Sequence, residues 1–209
     1  MIRVDKVEEP PTFDKWVRLP GKDDILKLQK KYPPPKEIPP GEFPTHWTTR
    51  REDGKNTIDD LRDRYKQRCA YLAMRIERVG GATVDHFVPK GEQDVYLVYE
   101  WSNYRLCASC VNAAKKRKTV VDPFDVELGW FKLNFNTLEV ECGENAPQEK
   151  RASIEDTCRI VNTPDCITYR EEYLTDYRSG ELPFSWFEKC APFLVSELRR
   201  KNDLNEGDL

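Results

Sequence analysis

The stretch that decides the fold is residues 82–118, which read ATVDHFVPKGEQDVYLVYEWSNYRLCASCVNAAKKRK. It begins with a short apolar run that a proline ends, which predicts a β-strand carrying Asp85 and His86. Residues 95–107 are rich in Tyr, Val, Leu and Trp and predict a second strand. Residues 109–118 contain neither Pro nor Gly, so a helix with a basic C-terminal end follows. The predicted local order is strand, strand, helix.

Charge is distributed unevenly along the chain. The 209 residues carry a net charge of -3, which argues against nucleic-acid binding over the whole surface. The segment 101–121 departs from this average, because it contains no acid and five basic residues. These are Arg105, Lys115, Lys116, Arg117 and Lys118. A local charge of +5 is a plausible phosphate-binding surface, although a run of charges is more often a solvated helix face.

The rest of the chain predicts two flanking regions. Nine of the 15 prolines fall in the first 44 residues. Residues 1–56 therefore predict an extended proline-rich N-terminal arm, interrupted by one short helix at 22–31, which either wraps the domain behind it or reaches a partner. Residues 57–142 form the predicted core, and 143–209 form a mostly helical C-terminal region with breaks at prolines. The predicted fold class is α+β.

A helix is predicted at the start of the core. Thr57 is the expected N-cap, with Asp60 in the capping-box position, and apolar residues then recur with a period of 3.6. This periodicity predicts a helix that reaches about Met74.

The predicted strand and helix bring together chemically useful residue types. A histidine in an apolar strand is usually structural, but His86 follows Asp85 at a strand end. Asn112 and Lys115 are three residues apart and share one face of the predicted helix. Asp and Asn supply hard oxygen ligands suited to Mg²⁺ or Mn²⁺, a neutral His accepts a proton from water, and lysines balance phosphate charge.

These residues resemble a known family. The order Asp-His, a proline three residues after the His, and then Trp-x-Asn-x-x-x-Cys-x-x-Cys-x-Asn-x-x-Lys is similar to the HNH, or ββα-metal, endonucleases. The resemblance covers roughly residues 69–118. The segments 2–6 with 9–11, 99–103 and 122–124 further resemble the HNH nucleases of Septu-type and retron-type antiphage defence systems.

The resemblance implies a role for each matching residue. His86 would be the general base that activates water, and Asn103 would fix the hairpin or orient the histidine. Asp85 and Asn112 would hold one Mg²⁺ or Mn²⁺ ion. Basic residues near the helix would bind the substrate backbone, namely Lys115, Lys116, Lys118 and Arg105. The implied partners are nucleic acid, either DNA or RNA, and an ABC-type or SMC-like ATPase that gates the nuclease.

The sequence departs from the family at the cysteines. Many members hold a structural Zn²⁺ with two Cys-x-x-Cys pairs. Here Cys107 and Cys110 form one pair, but Cys69 is followed at the expected spacing by Leu72. Three thiolates would bind Zn²⁺ only if a fourth ligand came from elsewhere.

Two residues are open as the fourth zinc ligand, and a role without zinc is the alternative for the three cysteines. His46 and Cys142 are the obvious donors for such a zinc site. Alternatively, the three cysteines pack as small buried hydrophobic residues. The odd total of seven cysteines favours free thiols or metal ligands over a disulfide framework and predicts a reducing compartment.

The composition also limits the class of protein. No apolar run is long enough to span a bilayer and no signal peptide is recognisable, so we expect a cytoplasmic chain without a membrane association. The predicted activity is that of a metal-dependent endonuclease. The alternatives are a non-catalytic nucleic-acid-binding or protein-binding subunit on a degenerate HNH scaffold, and a purely structural subunit whose basic helix meets an acidic partner.

Overall fold

The computed structural model describes residues 1–77, 81–91, 94–205 and 207–208. Within these ranges the fold is α+β, as predicted, with helices and two small two-stranded sheets. The α-helices are α1 (Leu19–Lys31), α2 (Thr57–Arg64), α3 (Ser109–Lys115), α4 (Arg151–Val161), α5 (Pro164–Arg178), α6 (Phe184–Cys190) and α7 (Pro192–Lys201). The strands are β1 (Ala82–His86), β2 (Tyr104–Ala108), β3 (Phe131–Leu133) and β4 (Val140–Cys142).

The chain forms two compact units, and each is built from separate stretches of sequence. The first unit comprises Met1–Lys6, Gln67–Ala82 and Cys107–Leu209. The second unit comprises Val7–Lys66 and Thr83–Leu106. None of the helices among the described residues is long and apolar enough to cross a bilayer.

The proline-rich region is more helical than its sequence predicts. A π-helical turn at Asp14–Arg18 runs directly into α1, so the helix expected at 22–31 begins at Leu19. Pro20 is the second residue of α1 and directly follows the π-helical turn, where it supplies no backbone N–H to the helix. The region also packs within the second unit, where the ring of Phe13 meets that of Trp101 edge-on at 5.4 Å. The region therefore contacts its own chain, and its contact with a partner stays a prediction.

Helix α2 differs from its prediction at both ends. Its N-cap is Asn56, whose side chain and that of Asp59 form a reciprocal capping box. The prediction that the helix reaches Met74 was wrong, because α2 ends at Arg64. The cause is the backbone that follows, since Lys66 (φ 52°) and Gln67 (φ 60°) adopt left-handed conformations that end an α-helix.

Strands β1 and β2 pair in a two-stranded sheet, and α3 follows β2 without a loop. The predicted order of strand, strand and helix is therefore present. The second strand is shorter than expected, because Val95–Tyr99 and Trp101–Asn103 are 3-10 helices and only Tyr104–Ala108 is extended. The helix expected at 109–118 ends at Lys115.

The predicted C-terminal region, residues 143–209, contains helices α4 to α7, and the hairpin of β3 and β4 precedes it. Strands β3 and β4 form an antiparallel hairpin in which Lys132 lies opposite Glu141. Helix α4 packs on β4 and α7 packs on β3. The buried Arg170 of α5 donates to the carbonyl of Leu138 at 2.8 Å and to that of Val161. This guanidinium thereby joins the hairpin to the end of α4.

Candidate functional site

The candidate site in the second unit is built around the end of β1. Asp85 and His86 are its last two residues, and they are only 3% and 7% exposed. The Nε2 atom of His86 lies 3.0 Å from the carbonyl oxygen of Val98. A carbonyl only accepts hydrogen bonds, so Nε2 carries the proton and donates it. In the neutral imidazole the basic nitrogen is therefore Nδ1.

A second donor fixes the position of the same carbonyl. The Tyr104 hydroxyl donates to the Val98 oxygen at 2.8 Å. Burial raises the pKa of Tyr104 well above its ordinary value, so the phenol keeps this proton at neutral pH. The oxygen that orients His86 is thus itself held by a rigid aromatic side chain.

Aromatic rings enclose the imidazole. The ring of Trp47 meets His86 edge-on, with centroids 4.7 Å apart. The ring of Tyr104 lies 5.0 Å away in a similar orientation. Such contacts restrict the orientation of a side chain and lower the local dielectric constant. Trp47 comes from the proline-rich region, and no sequence pattern linked it to His86.

Asn103 ties together the segment that follows β1. Its Oδ1 accepts from the Val88 N–H at 2.7 Å, while its Nδ2 donates to the carbonyls of Val88 at 3.1 Å and Leu97 at 3.0 Å. The side chain is 4% exposed, so these bonds form away from water. Asn103 therefore holds the backbone on either side of the loop that carries Lys90. Its catalytic role stays a prediction.

Lys90 is a cation that the sequence analysis missed. Its Nζ lies over the Trp47 ring, 5.1 Å from the ring centroid, and the residue is half-buried. Burial lowers the pKa of Lys90 below its ordinary value. The sequence signal that could have identified Lys90 is its position four residues after His86. A single lysine outside the basic run gave no reason to select it.

Apart from Arg105, the remaining metal and basic residues of the prediction belong to the first unit, where they lie in helix α3 or directly after it. Asn112 is half-buried, and Lys115 is only 1% exposed. Helix α3 packs against α4 and α5, which accounts for the burial of its inner face. Lys116 is exposed, while the Lys118 ammonium donates to the Ala114 carbonyl at 2.8 Å. The binding of one ion by Asp85 and Asn112 stays a prediction.

Arg105 lies in the second unit, where it is buried and hydrogen-bonds to backbone carbonyls. It is 2% exposed, and its Nη1 donates to the carbonyls of Ser102 at 2.7 Å and Tyr104 at 2.9 Å. Its guanidinium also lies over the Phe87 ring at 5.2 Å. Its predicted contact with a phosphate stays a prediction. The hydrogen bonds show that Arg105 braces the turn before β2.

The cysteines predicted as zinc ligands lie in the first unit. Burial alone would raise the pKa of Cys69, but hydrogen bonds from Cys107 and from backbone N–H groups, including that of Ala108, lower it below its ordinary value. The distance from the Ala108 nitrogen to the Cys69 sulfur is 3.4 Å. Cys110 instead faces Cys166 of α5, with the sulfurs 3.9 Å apart.

Both predicted donors of a fourth zinc ligand have other partners. His46 Nε2 lies 2.8 Å from Asp24 Oδ2, and the Cys142 thiol points to the Gly143 carbonyl at 3.8 Å. Among the residues that the structure describes, no group of three or more His, Cys, Asp or Glu side chains is placed to hold a metal ion. The structural zinc stays a prediction.

Comparisons of the chain with protein-family models, with curated proteins and with solved structures find no match.

Proposed function

We propose that this chain is a metal-dependent HNH endonuclease that hydrolyses phosphodiester bonds of DNA or RNA in the cytoplasm. The observation that carries the proposal is the hydrogen bond from His86 Nε2 to the Val98 carbonyl. It assigns the imidazole proton to Nε2 and makes Nδ1 the nitrogen that accepts a proton. The motif around Asp85, His86, Asn103 and Asn112 supplies the family resemblance.

In the proposed reaction, His86 Nδ1 takes a proton from a water molecule as that water attacks phosphorus. The new bond joins the water oxygen to phosphorus, and the bond to the 3′ oxygen on the opposite side breaks. The leaving 3′ oxygen takes up a proton from solvent, and His86 releases the proton that it accepted to solvent. The rings around His86 limit its motion, so the base is held in one orientation before substrate arrives.

Asp85 and Asn112 would hold the divalent ion. A carboxylate and an amide oxygen are hard ligands, so this donor set suits Mg²⁺ or Mn²⁺. When bound, the ion supplies charge stabilisation at the scissile phosphate and the leaving oxygen. Basic side chains of the segment 101–121 would neutralise neighbouring phosphates.

The biological setting follows from the resemblance alone. We propose that the nuclease acts in antiphage defence and that an ABC-type or SMC-like ATPase gates its activity. The test is cleavage of plasmid DNA and of total RNA in Mg²⁺, with and without an ATPase of the proposed ABC-type or SMC-like class.

The two histidines of the chain give a matched pair of variants. His86→Ala should abolish Mg²⁺-dependent cleavage, because it removes the base. His46→Ala should retain it, because His46 is paired with Asp24 and is assigned no catalytic role. Equal cleavage by His86→Ala and the unchanged chain would contradict the proposed function.

A second candidate is a non-catalytic binding subunit on the same scaffold. The observation that favours it is Leu72, a buried apolar residue where the family pattern has a thiolate. Metal titration separates the two candidates. Mn²⁺ binding that is lost in Asn112→Ala supports the enzyme, whereas an unchanged chain that binds no divalent ion but binds nucleic acid supports the subunit.

A further inference from the structure

The ammonium of Lys90 is unusual among the lysines that lie over aromatic rings in the second unit. Lys15 lies over Trp16 and has the Glu52 carboxylate at 3.8 Å. Lys31 lies over Tyr32 and has a carboxylate at 2.7 Å. For Lys90, no ion pair with a carboxylate occurs among the described residues, and burial is the cause that lowers its pKa.

A half-buried cation without a carboxylate carries a desolvation cost. The face of Trp47 offsets part of this cost, because the electron-rich face of an indole ring attracts a partly desolvated cation. An anion placed against the ammonium would offset the remainder. The local environment therefore favours an anionic ligand.

The same tryptophan connects Lys90 to the candidate base. One ring, that of Trp47, contacts the Lys90 ammonium at 5.1 Å and the His86 imidazole at 4.7 Å, measured to its centroid. Lys90 also lies within the segment that Asn103 anchors at Val88 and Leu97. The Lys90 ammonium and the His86 imidazole therefore contact the same tryptophan ring, and the backbone near Lys90 is anchored by Asn103.

We propose that Lys90 binds a phosphate of the nucleic-acid substrate beside His86, which makes it a substrate-binding residue of the second unit. This inference rests on the proposed function and adds a residue to its substrate site. It also gives the arm a role within that site, because Trp47 holds the lysine in place.

The experiment measures equilibrium binding of nucleic acid to the chain in EDTA. Because EDTA prevents metal-dependent cleavage, His86 does not have to be substituted. The probes are a DNA duplex, a DNA single strand and an RNA single strand of the same sequence. Each Kd is measured between about 50 and 200 mM salt, because the slope of log K against log salt counts the phosphate contacts.

Lys90→Met should raise Kd about tenfold at low salt and reduce the magnitude of the salt slope by about 0.9 on the duplex or 0.7 on a single strand. Lys90→Arg keeps the charge and should retain the slope. Lys15→Met is the matched control, because it also removes an ammonium that lies over a tryptophan ring. It should change neither the Kd nor the salt slope. A purely structural role of Lys90 would lower the unfolding temperature without changing the slope.

Failure of the inference about Lys90 and failure of the proposed function give different binding results. If the unchanged chain binds a probe but Lys90→Met retains its Kd and slope, the inference about Lys90 is overturned and the proposed function stands. If the unchanged chain binds none of the three probes, both the inference and the proposed function are overturned.

Discussion

The side-chain amide of Asn103 and the backbone of Val88 hydrogen-bond in both directions, since Oδ1 accepts from the Val88 N–H and Nδ2 donates to the Val88 carbonyl. This reciprocal pair fixes the chain two residues beyond His86. Together with the hydrogen bond from the Phe87 N–H to the Asn103 carbonyl at 2.9 Å, it connects the end of β1 to the turn before β2.

We predict that Asn103→Ala lowers the free energy of unfolding by about 3 kcal/mol, because it leaves buried backbone groups without partners. Urea unfolding followed by circular dichroism measures this loss. Asn136→Ala, at an exposed turn position, is the control and should stay within about 0.5 kcal/mol of the unchanged chain. A loss below about 1 kcal/mol for Asn103→Ala, the worth of one ordinary hydrogen bond, would argue against this anchoring role.

Trp47 should contribute more to stability than the other tryptophan of the N-terminal region. It is 7% exposed and contacts His86 and Tyr104, whereas Trp16 is half-exposed. Trp47→Ala should cost about 3–5 kcal/mol, the usual cost of removing a buried aromatic side chain, and Trp16→Ala should cost clearly less. Thermal unfolding of the two variants compares them, and equal losses would show that Trp47 is not part of the core.

The buried ion pair between Arg51 and Asp60 should be costly to break from one side. The Arg51 Nη2 atom lies 2.9 Å from Asp60 Oδ1, and both residues are less than 10% exposed. Asp60→Ala should lower the free energy of unfolding by about 3 kcal/mol, because it leaves the buried Arg51 with only the exposed carboxylate of Asp53, whose Oδ1 lies 3.5 Å from Nε. The double variant Arg51→Met, Asp60→Leu should recover part of that loss. Additive losses in this cycle would contradict the pairing.

Stability should fall in alkaline solution, partly through Cys158. Burial raises the pKa of Cys158 from its ordinary value of 9.0 to about 12. Above about pH 9 the unfolded thiol ionises while the folded thiol keeps its proton, so the unfolded state binds fewer protons and the free energy of unfolding falls. Below that pH both states are protonated and the contribution is fully present.

The test compares the unchanged chain with Cys158→Ala in urea at neutral pH and at about pH 10. The difference in stability between the two should shrink by about 1 kcal/mol at the higher pH, since one pKa unit corresponds to about 1.4 kcal/mol. A difference that is the same at both pH values would mean that Cys158 titrates alike in the folded and unfolded chain.

The sequence predicts the elements whose signals are local. A proline ends the run that forms β1, and the prolines at which breaks were predicted occupy the first turns of α5 and α7. The order of strand, strand and helix was predicted from the composition of a short stretch and from the residues in it that end strands and helices. Local propensity and tertiary packing agree there, so the pattern is informative.

The sequence does not predict features that depend on distant contacts. The spacing after Thr57 continues a helical pattern, yet the chain turns at Lys66 and instead pairs Arg68 with Arg75 in an isolated bridge. The environment of His86 likewise depends on Trp47, which is 39 positions earlier in the chain. Periodicity reports only on neighbours one or two turns away, so neither contact leaves a pattern.

The interleaving of the two units has a consequence for synthesis on the ribosome. All residues of the second unit have been synthesised once Leu106 is added, whereas the first unit needs helices up to α7. Because synthesis is slow compared with the folding of small units, the second unit has time to close first. The surroundings of His86 would then form on the nascent chain before helices α4 to α7 have been added.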